Sequence, residues 1–155
     1  MKNKSLNLLV ALIISFIGFP ILSQTINFKH FGIEEGLIHP TIYTISQDKS
    51  GFVWLGTGAG ACRFDGVHFS IPSSIDTLPE VNANTSFIDK SGNVWLGYDD
   101  GSVCSYKKRK LERIYKNTES PSKINCFSES PDGSIIAVSQ NSGFCILQPG
   151  SAFRY

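Results

Sequence analysis

Two short stretches hold the side chains with the most chemical reach. "GIEEGLIH" brings Glu34, Glu35 and His39 into one turn-rich segment, and "LGYDDG" sets Tyr98 beside Asp99 and Asp100. An aromatic ring next to carboxylates can stack on one face of a sugar ring while the acids take its hydroxyls. Thr57, in "LGTG", holds the position that Tyr98 holds in its own stretch. Glu35, His39, Thr57, Tyr98 and Asp99 are therefore the candidate ligand-contact residues, on loops expected to form the rim of one surface. Catalysis by paired carboxylates would need two acids facing each other across about 5 to 10 Å. Asp99 and Asp100 are neighbours on one expected turn, and Asp-Asp-Gly is also ordinary hairpin chemistry, so no catalytic residue is assigned.

Cysteine and histidine could supply disulfides or a metal site, and their spacing argues against both. Cys62, Cys104 and Cys145 stand 42 and 41 residues apart, which puts them in one slot of a repeated unit. Equivalent slots on neighbouring units are normally farther apart than the ~7 Å that a bridge tolerates. A small buried side chain is the expectation at all three. Cys126 falls where other units have Thr44 and Thr85, again a small-residue slot. His30, His39 and His68 show no ligand spacing with the cysteines, so no metal or cofactor is expected.

The repeat that positions these residues is written plainly. "DKSGFVWLGTGAG" begins at Asp48 and "DKSGNVWLGYDDG" at Asp89, an offset of 41 residues. A third, weaker copy, "SPDGSIIAVSQNSG", follows at the same interval, with Gly133 in register with Gly51 and Gly92. Val53, Val94 and Ile135 form one column, Trp54, Trp95 and Ile136 a second, and Leu55, Leu96 and Ala137 a third. A period of this length marks a repeated supersecondary unit.

Each unit reads as four short strands. In the first, "TIYTISQ", "FVWLGT", "ACRF" and "VHFSI" are aromatic and β-branched runs separated by Gly, Asp and Ser turns. No segment after residue 24 sustains a helical period. In "FVWLG" both faces are apolar, so each small sheet must be covered on both sides. Four strands in about 41 residues, stacked face to face, describe a β-propeller blade. The expectation is an all-β partial propeller of three antiparallel blades, at 41–71, 82–115 and 123–155, with 26–31 as a leading strand. Trp54, Trp95 and Ile136 are expected as packing residues between blades. A β-sandwich would leave the strict period unexplained.

The N-terminus reads as a signal peptide over residues 1–24. Lys2 and Lys4 precede the apolar "LNLLVALIISFIGFPIL", and Ser23 supplies a small residue at a cleavage point. The alternative is an uncleaved anchor, since the run approaches the ~20 residues of a spanning helix; Asn7, Ser15 and Pro20 interrupt it. Without Lys2 and Lys4 the formal charge becomes −1, twelve bases against thirteen acids. A near-neutral exported domain, 25–155, has no electrostatic footprint for nucleic acid, and membrane contact is expected only through the signal peptide. "KKRK" at 107–110 fits a solvated turn between strands.

The stretch from His30 to Gly66 resembles the two-component regulator propeller repeat. Glu35, Gly36 and Leu37 match its opening, Asp48, Gly51, Trp54, Leu55, Gly56 and Thr57 its centre, and Gly60, Phe64, Asp65 and Gly66 its end. The second unit keeps Asp89, Gly92, Trp95, Leu96 and Gly97 but has Tyr98 for Thr57, and the third departs at the Trp and the Gly-Thr pair. The resemblance implies a non-catalytic periplasmic input segment of a sensor histidine kinase, with an oligosaccharide as the ligand class. Propellers close with typically four to eight blades, so three units suggest a partial chain whose partners are further blades or a sensor-kinase partner. A fragment of a carbohydrate-active propeller enzyme and a structural or protein-interaction propeller are the alternatives.

Overall fold

The computed structural model describes residues 27–72, 78–107, 110–115, 121–148 and 151–154. The chain divides into two compact units, Met1–His30 and Phe31–Tyr155. The expected signal peptide, 1–24, lies outside the described residues. Of the leading strand expected at 26–31, Ile26 lies outside the described residues, and 27–31 pair with no described strand. A strand exists only through a ladder of backbone hydrogen bonds, and none of the sheets extends to this segment. Phe31 instead packs edge-on against Phe64, ring centroids 4.7 Å apart.

Among the described residues, twelve strands form three four-stranded antiparallel sheets in simple meander order. The first holds β1 (Ile42–Gln47), β2 (Val53–Thr57), β3 (Gly60–Phe64) and β4 (Phe69–Ser70). The second holds β5 (Ala83–Ile88), β6 (Val94–Tyr98), β7 (Val103–Lys107) and β8 (Lys110–Tyr115). The third holds β9 (Ile124–Glu129), β10 (Ile135–Ser139), β11 (Phe144–Gln148) and β12 (Ser151–Arg154). β1, β5 and β9 lie side by side, the inner edge of a propeller-like stack. Lys107 of β7 pairs with Lys110 of β8.

Apolar layers between the sheets hold the stack together. Trp54 and Ala61 of the first sheet pack on Ala83, Val94, Leu96, Tyr98, Cys104 and Leu111 of the second. Val103 of the second, with Trp95 against it, packs on Ile124, Ile135, Ala137, Cys145 and Leu147 of the third. Leu37 and Ile38 cover Leu55 and Cys62 on the far face of the first sheet. Ile136, expected as a packing residue, is only half-buried. The cause is its slot: Trp54 and Trp95 point at a following sheet, and Ile136 points beyond the third one. Cys62, Cys104 and Cys145 are buried free thiols, whereas Cys126 is exposed; it pairs with Val138 on that same outer face. Burial pushes the Cys62 and Cys145 thiols up.

Glycine sets how closely the sheets approach. A Cβ on Gly56 would press on the carbonyl oxygen of Ala83 in β5, with Thr44 Cγ2 2.5 Å away. A Cβ on Gly97 would sit 2.6 Å from Ile124 Cγ2 in β9. The third sheet has Val138 in this slot.

The Asp-x-x-Gly-x-x-Trp pattern is a clasp. Asp48 Oδ1 accepts the Ser50 and Phe52 N–H groups at 2.8 and 3.1 Å, and Oδ2 accepts Trp54 Nε1–H at 2.9 Å. Asp89 repeats it, accepting Asn93 N–H at 2.8 Å and Trp95 Nε1–H at 3.0 Å. Gly51 and Gly92, both at φ 88°, give the turn the left-handed residue it needs. The third unit replaces donor and acceptor together, with Ile136 for Trp and Ser130 for Asp.

The clasp makes the fold acid-sensitive. Burial alone would raise the Asp89 carboxyl, but the Trp95 and Asn93 side chains and the Asn93 and Gly92 backbone outweigh it and hold the group below its ordinary value. Such a carboxylate stabilises the fold above its unfolded pKa, about 4, and the contribution is lost as pH falls through the lower folded value. Urea midpoints should therefore drop between roughly pH 7 and roughly pH 3, and Asp89→Asn should lower the neutral midpoint while flattening that drop. An unaltered pH slope in Asp89→Asn would remove the clasp from this explanation.

Candidate functional site

One end of the stack is built from the turn after the second strand of each sheet and the segment entering the first. The two are tied identically in all three units. Gly58 N–H donates to the Thr41 carbonyl at 3.2 Å, Asp99 to Asn82 at 3.0 Å, and Gln140 to Lys123 at 2.8 Å. This end is the rim that the loop residues were expected to form.

The expected contact residues divide sharply. Tyr98 and Thr57 are fully buried, each 0% exposed, which corrects the reading of both as rim groups. Tyr98 pairs with Ala83, whose small side chain leaves room for the ring inside the layer between the first two sheets. Thr57 Oγ1 is turned into its own hairpin, donating to the Gly60 carbonyl at 2.8 Å and accepting Ala59 N–H at 3.2 Å. Glu35 folds back on its own 3-10 turn, its carboxylate accepting Gly32 N–H at 2.6 Å. His39 is half-buried against Gly58, and its Nδ1 accepts Thr41 N–H at 3.1 Å. The structure thus brings His39 to the first hairpin turn and leaves Glu35 apart.

Asp99 remains on the rim, in company that its residue type does not announce. Asn82 Nδ2 donates to Asp99 Oδ2 and Asn84 Nδ2 to Asp99 Oδ1, both at 2.6 Å. Its neighbour Asp100 is a turn acid, accepting the N–H and the hydroxyl of Ser102 at 3.0 and 2.9 Å. Asn84 matters for a second reason. In each first strand one extra residue opposes the partner strand: Tyr43 between Ile42 and Thr44, Asn84 between Ala83 and Thr85, and Asn125 between Ile124 and Cys126. These β-bulges recur every 41 residues, and each stands beside the rim. Bulges re-aim a side chain relative to regular alternation. The spacing could have found the three positions as a column, but nothing in Tyr, Asn and Asn identifies a bulge.

A cleft lined by Tyr115, Ser122, Ile124 and Phe144 has about 10 Å³ of free volume, room for about one water. Among the described residues no group of three or more His, Cys, Asp or Glu could hold a metal ion, and no helix is long and apolar enough to cross a membrane.

Residues 36–59, which run from Gly36 through the Asp48–Trp54 clasp to the first hairpin, match the two component regulator propeller family. The chain carries a two-component regulator propeller repeat. Over 70 residues, 44% of the chain, it is 33% identical to Histidine kinase P4 of Formosa agariphila, of which they span 5%. The propeller stack is similar to the extracellular domain of a hybrid two component system from B. thetaiotaomicron, with a TM-score of 0.67 and 22% identity over 82% of this chain and 20% of that one. A second extracellular domain of this kind from that organism gives 0.65 and 18% over 80% and 18%. Virginiamycin B lyase of Staphylococcus aureus gives 0.60 and 17% over 74% and 41%. The chain therefore spans a fifth or less of these extracellular domains. At such identities the likeness is one of fold, and the lyase among the neighbours illustrates that the propeller alone does not choose a chemistry.

Proposed function

We propose that the chain is a non-catalytic ligand-sensing input segment of an exported two-component sensor, acting with further propeller blades or a kinase partner. The observation that carries the reading is the two-component regulator propeller match at 36–59. The similarity to a histidine kinase over 70 residues supports it. Export rests on the basic and apolar pattern of residues 1–24. The ligand class is an oligosaccharide, bound on the rim. Asp99, a candidate acid there, is engaged by two amides, which favours recognition over acid catalysis.

One experiment tests export, binding and the lack of turnover. The full chain, expressed with its own N-terminus in a bacterial host, is recovered from the periplasm and its mass taken; cleavage should leave it starting near Gln24 or Thr25. That material is titrated calorimetrically with neutral oligosaccharides, and the sugars are then sized by chromatography. Saturable binding with unchanged sugars is the expected result. Shortened products would replace sensing by catalysis, and an intact Met1 in the membrane fraction would replace cleavage by anchoring.

A further inference from the structure

The three bulges suggest where a ligand would be read. Tyr43 is 48% exposed and Asn125 is exposed, while Asn84 is half-buried. They occupy the same position on β1, β5 and β9, which lie next to one another. The first two strands are tied directly beside these positions, Thr44 Oγ1 to Ser86 Oγ at 2.7 Å. Regular alternation would send alternate side chains of these strands into the packed layers. The extra residue lifts one side chain per blade out of that pattern, at the rim end of the inner edge.

We infer that Tyr43, Asn84 and Asn125 form a contact line for a neutral saccharide, a proposal that rests on the sensing reading above. The chemistry of the line narrows the ligand. A phenol ring offers a flat apolar face with a polar tip, and the exposed Asn125 carboxamide offers donors and an acceptor together, the pattern that sugar C–H faces and paired hydroxyls require; Asn84, whose Nδ2 donates to Asp99 and whose Oδ1 is buried, has its second amide hydrogen to give. No member of the line is charged. Asp99, the nearest carboxylate to Asn84, takes an amide hydrogen bond on each oxygen and so serves to orient Asn84 and Asn82. The line crosses three adjacent strands, β1, β5 and β9, so it is longer than one sugar ring and suits an oligosaccharide.

The test uses the full chain on an array of neutral glucan, mannan, xylan and galactan oligosaccharides, with polygalacturonate and alginate oligosaccharides beside them. The expected result is binding to a neutral glycan that weakens about tenfold in Tyr43→Ala and in Asn125→Ala. Tyr43→Phe should retain it, and all three variants should keep the thermal unfolding midpoint of the natural chain. Neutral-glycan binding that both alanine variants leave intact would overturn the contact line while the sensing reading stands. Binding confined to the acidic glycans would overturn the line while the oligosaccharide reading stands, and binding absent throughout would overturn both.

Discussion

Trp54→Ala lowers the unfolding free energy by about 3–5 kcal/mol, the range for deleting a large buried aromatic, and Trp95→Ala costs less. The sequence treats the two residues as equivalent, and their surroundings do not. Trp54 is 0% exposed, its ring 4.7 Å from that of Tyr106 in the second sheet. Its cross-strand neighbour on β3 is Arg63, whose guanidinium lies 4.1 Å from the centre of the Phe52 ring and donates to the Tyr106 hydroxyl at 3.2 Å. Trp95 has Ser105 as its neighbour on β7, and the shorter side chain leaves it half-buried. Chemical denaturation of both variants, measured side by side, decides the matter. Equal losses, or a larger loss at Trp95, would show that the aromatic and cationic cover of Trp54 contributes nothing.

Gly56→Ala should be nearly as damaging as the loss of Trp54, although it adds one methyl group. The obstacle is backbone: the added Cβ would meet the Ala83 carbonyl oxygen and stand 3.2 Å from the carbonyl carbon. β5 cannot retreat without opening the layer that holds Trp54. Overpacking of this kind costs about 1–3 kcal/mol and more where nothing can yield. Gly97→Ala is expected to be milder, because its obstacles are side-chain atoms, Cγ2 and Cβ of Ile124 and Cγ2 of Thr85, rather than a carbonyl of the backbone. Adding Ile124→Ala should then recover part of the loss at Gly97, a coupling that a double-mutant cycle reads directly. A Gly56→Ala chain as stable as the natural one would mean that the sheets are free to separate.

The architecture was legible because a period repeats its evidence. Gly51, Gly92 and Gly133 fix three turns, and the apolar columns around them require sheets covered on both faces. The rim was less legible. Tyr98 next to two aspartates reads as exposed, yet strand position decides its burial, and a residue opposite Ala83 faces the packed layer. The pairing of Asp48 with Trp54 is present as a spacing in the sequence, but the hydrogen bond depends on how the turn folds the carboxylate back over the strand. Asn82 and Asn84 carry no signal by type. They become interesting only once the bulge and the hairpin set them around Asp99.

The glycine slot has a geometric consequence. Blades in a propeller are wedges, and a ring closes when the angles between successive wedges complete a full turn. The angle is narrowest where inner strands touch, so the residue facing the next inner strand acts as a shim. Gly56 and Gly97 are shims of zero thickness, allowing β5 and β9 to come within contact of the preceding sheet. Val138 occupies the corresponding place on the third sheet, and its isopropyl group is a thicker one. Whatever rests on that face must therefore stand farther out at the inner edge or bring a smaller residue than Ile124 to meet it, so the angular step changes there by the choice of a single side chain.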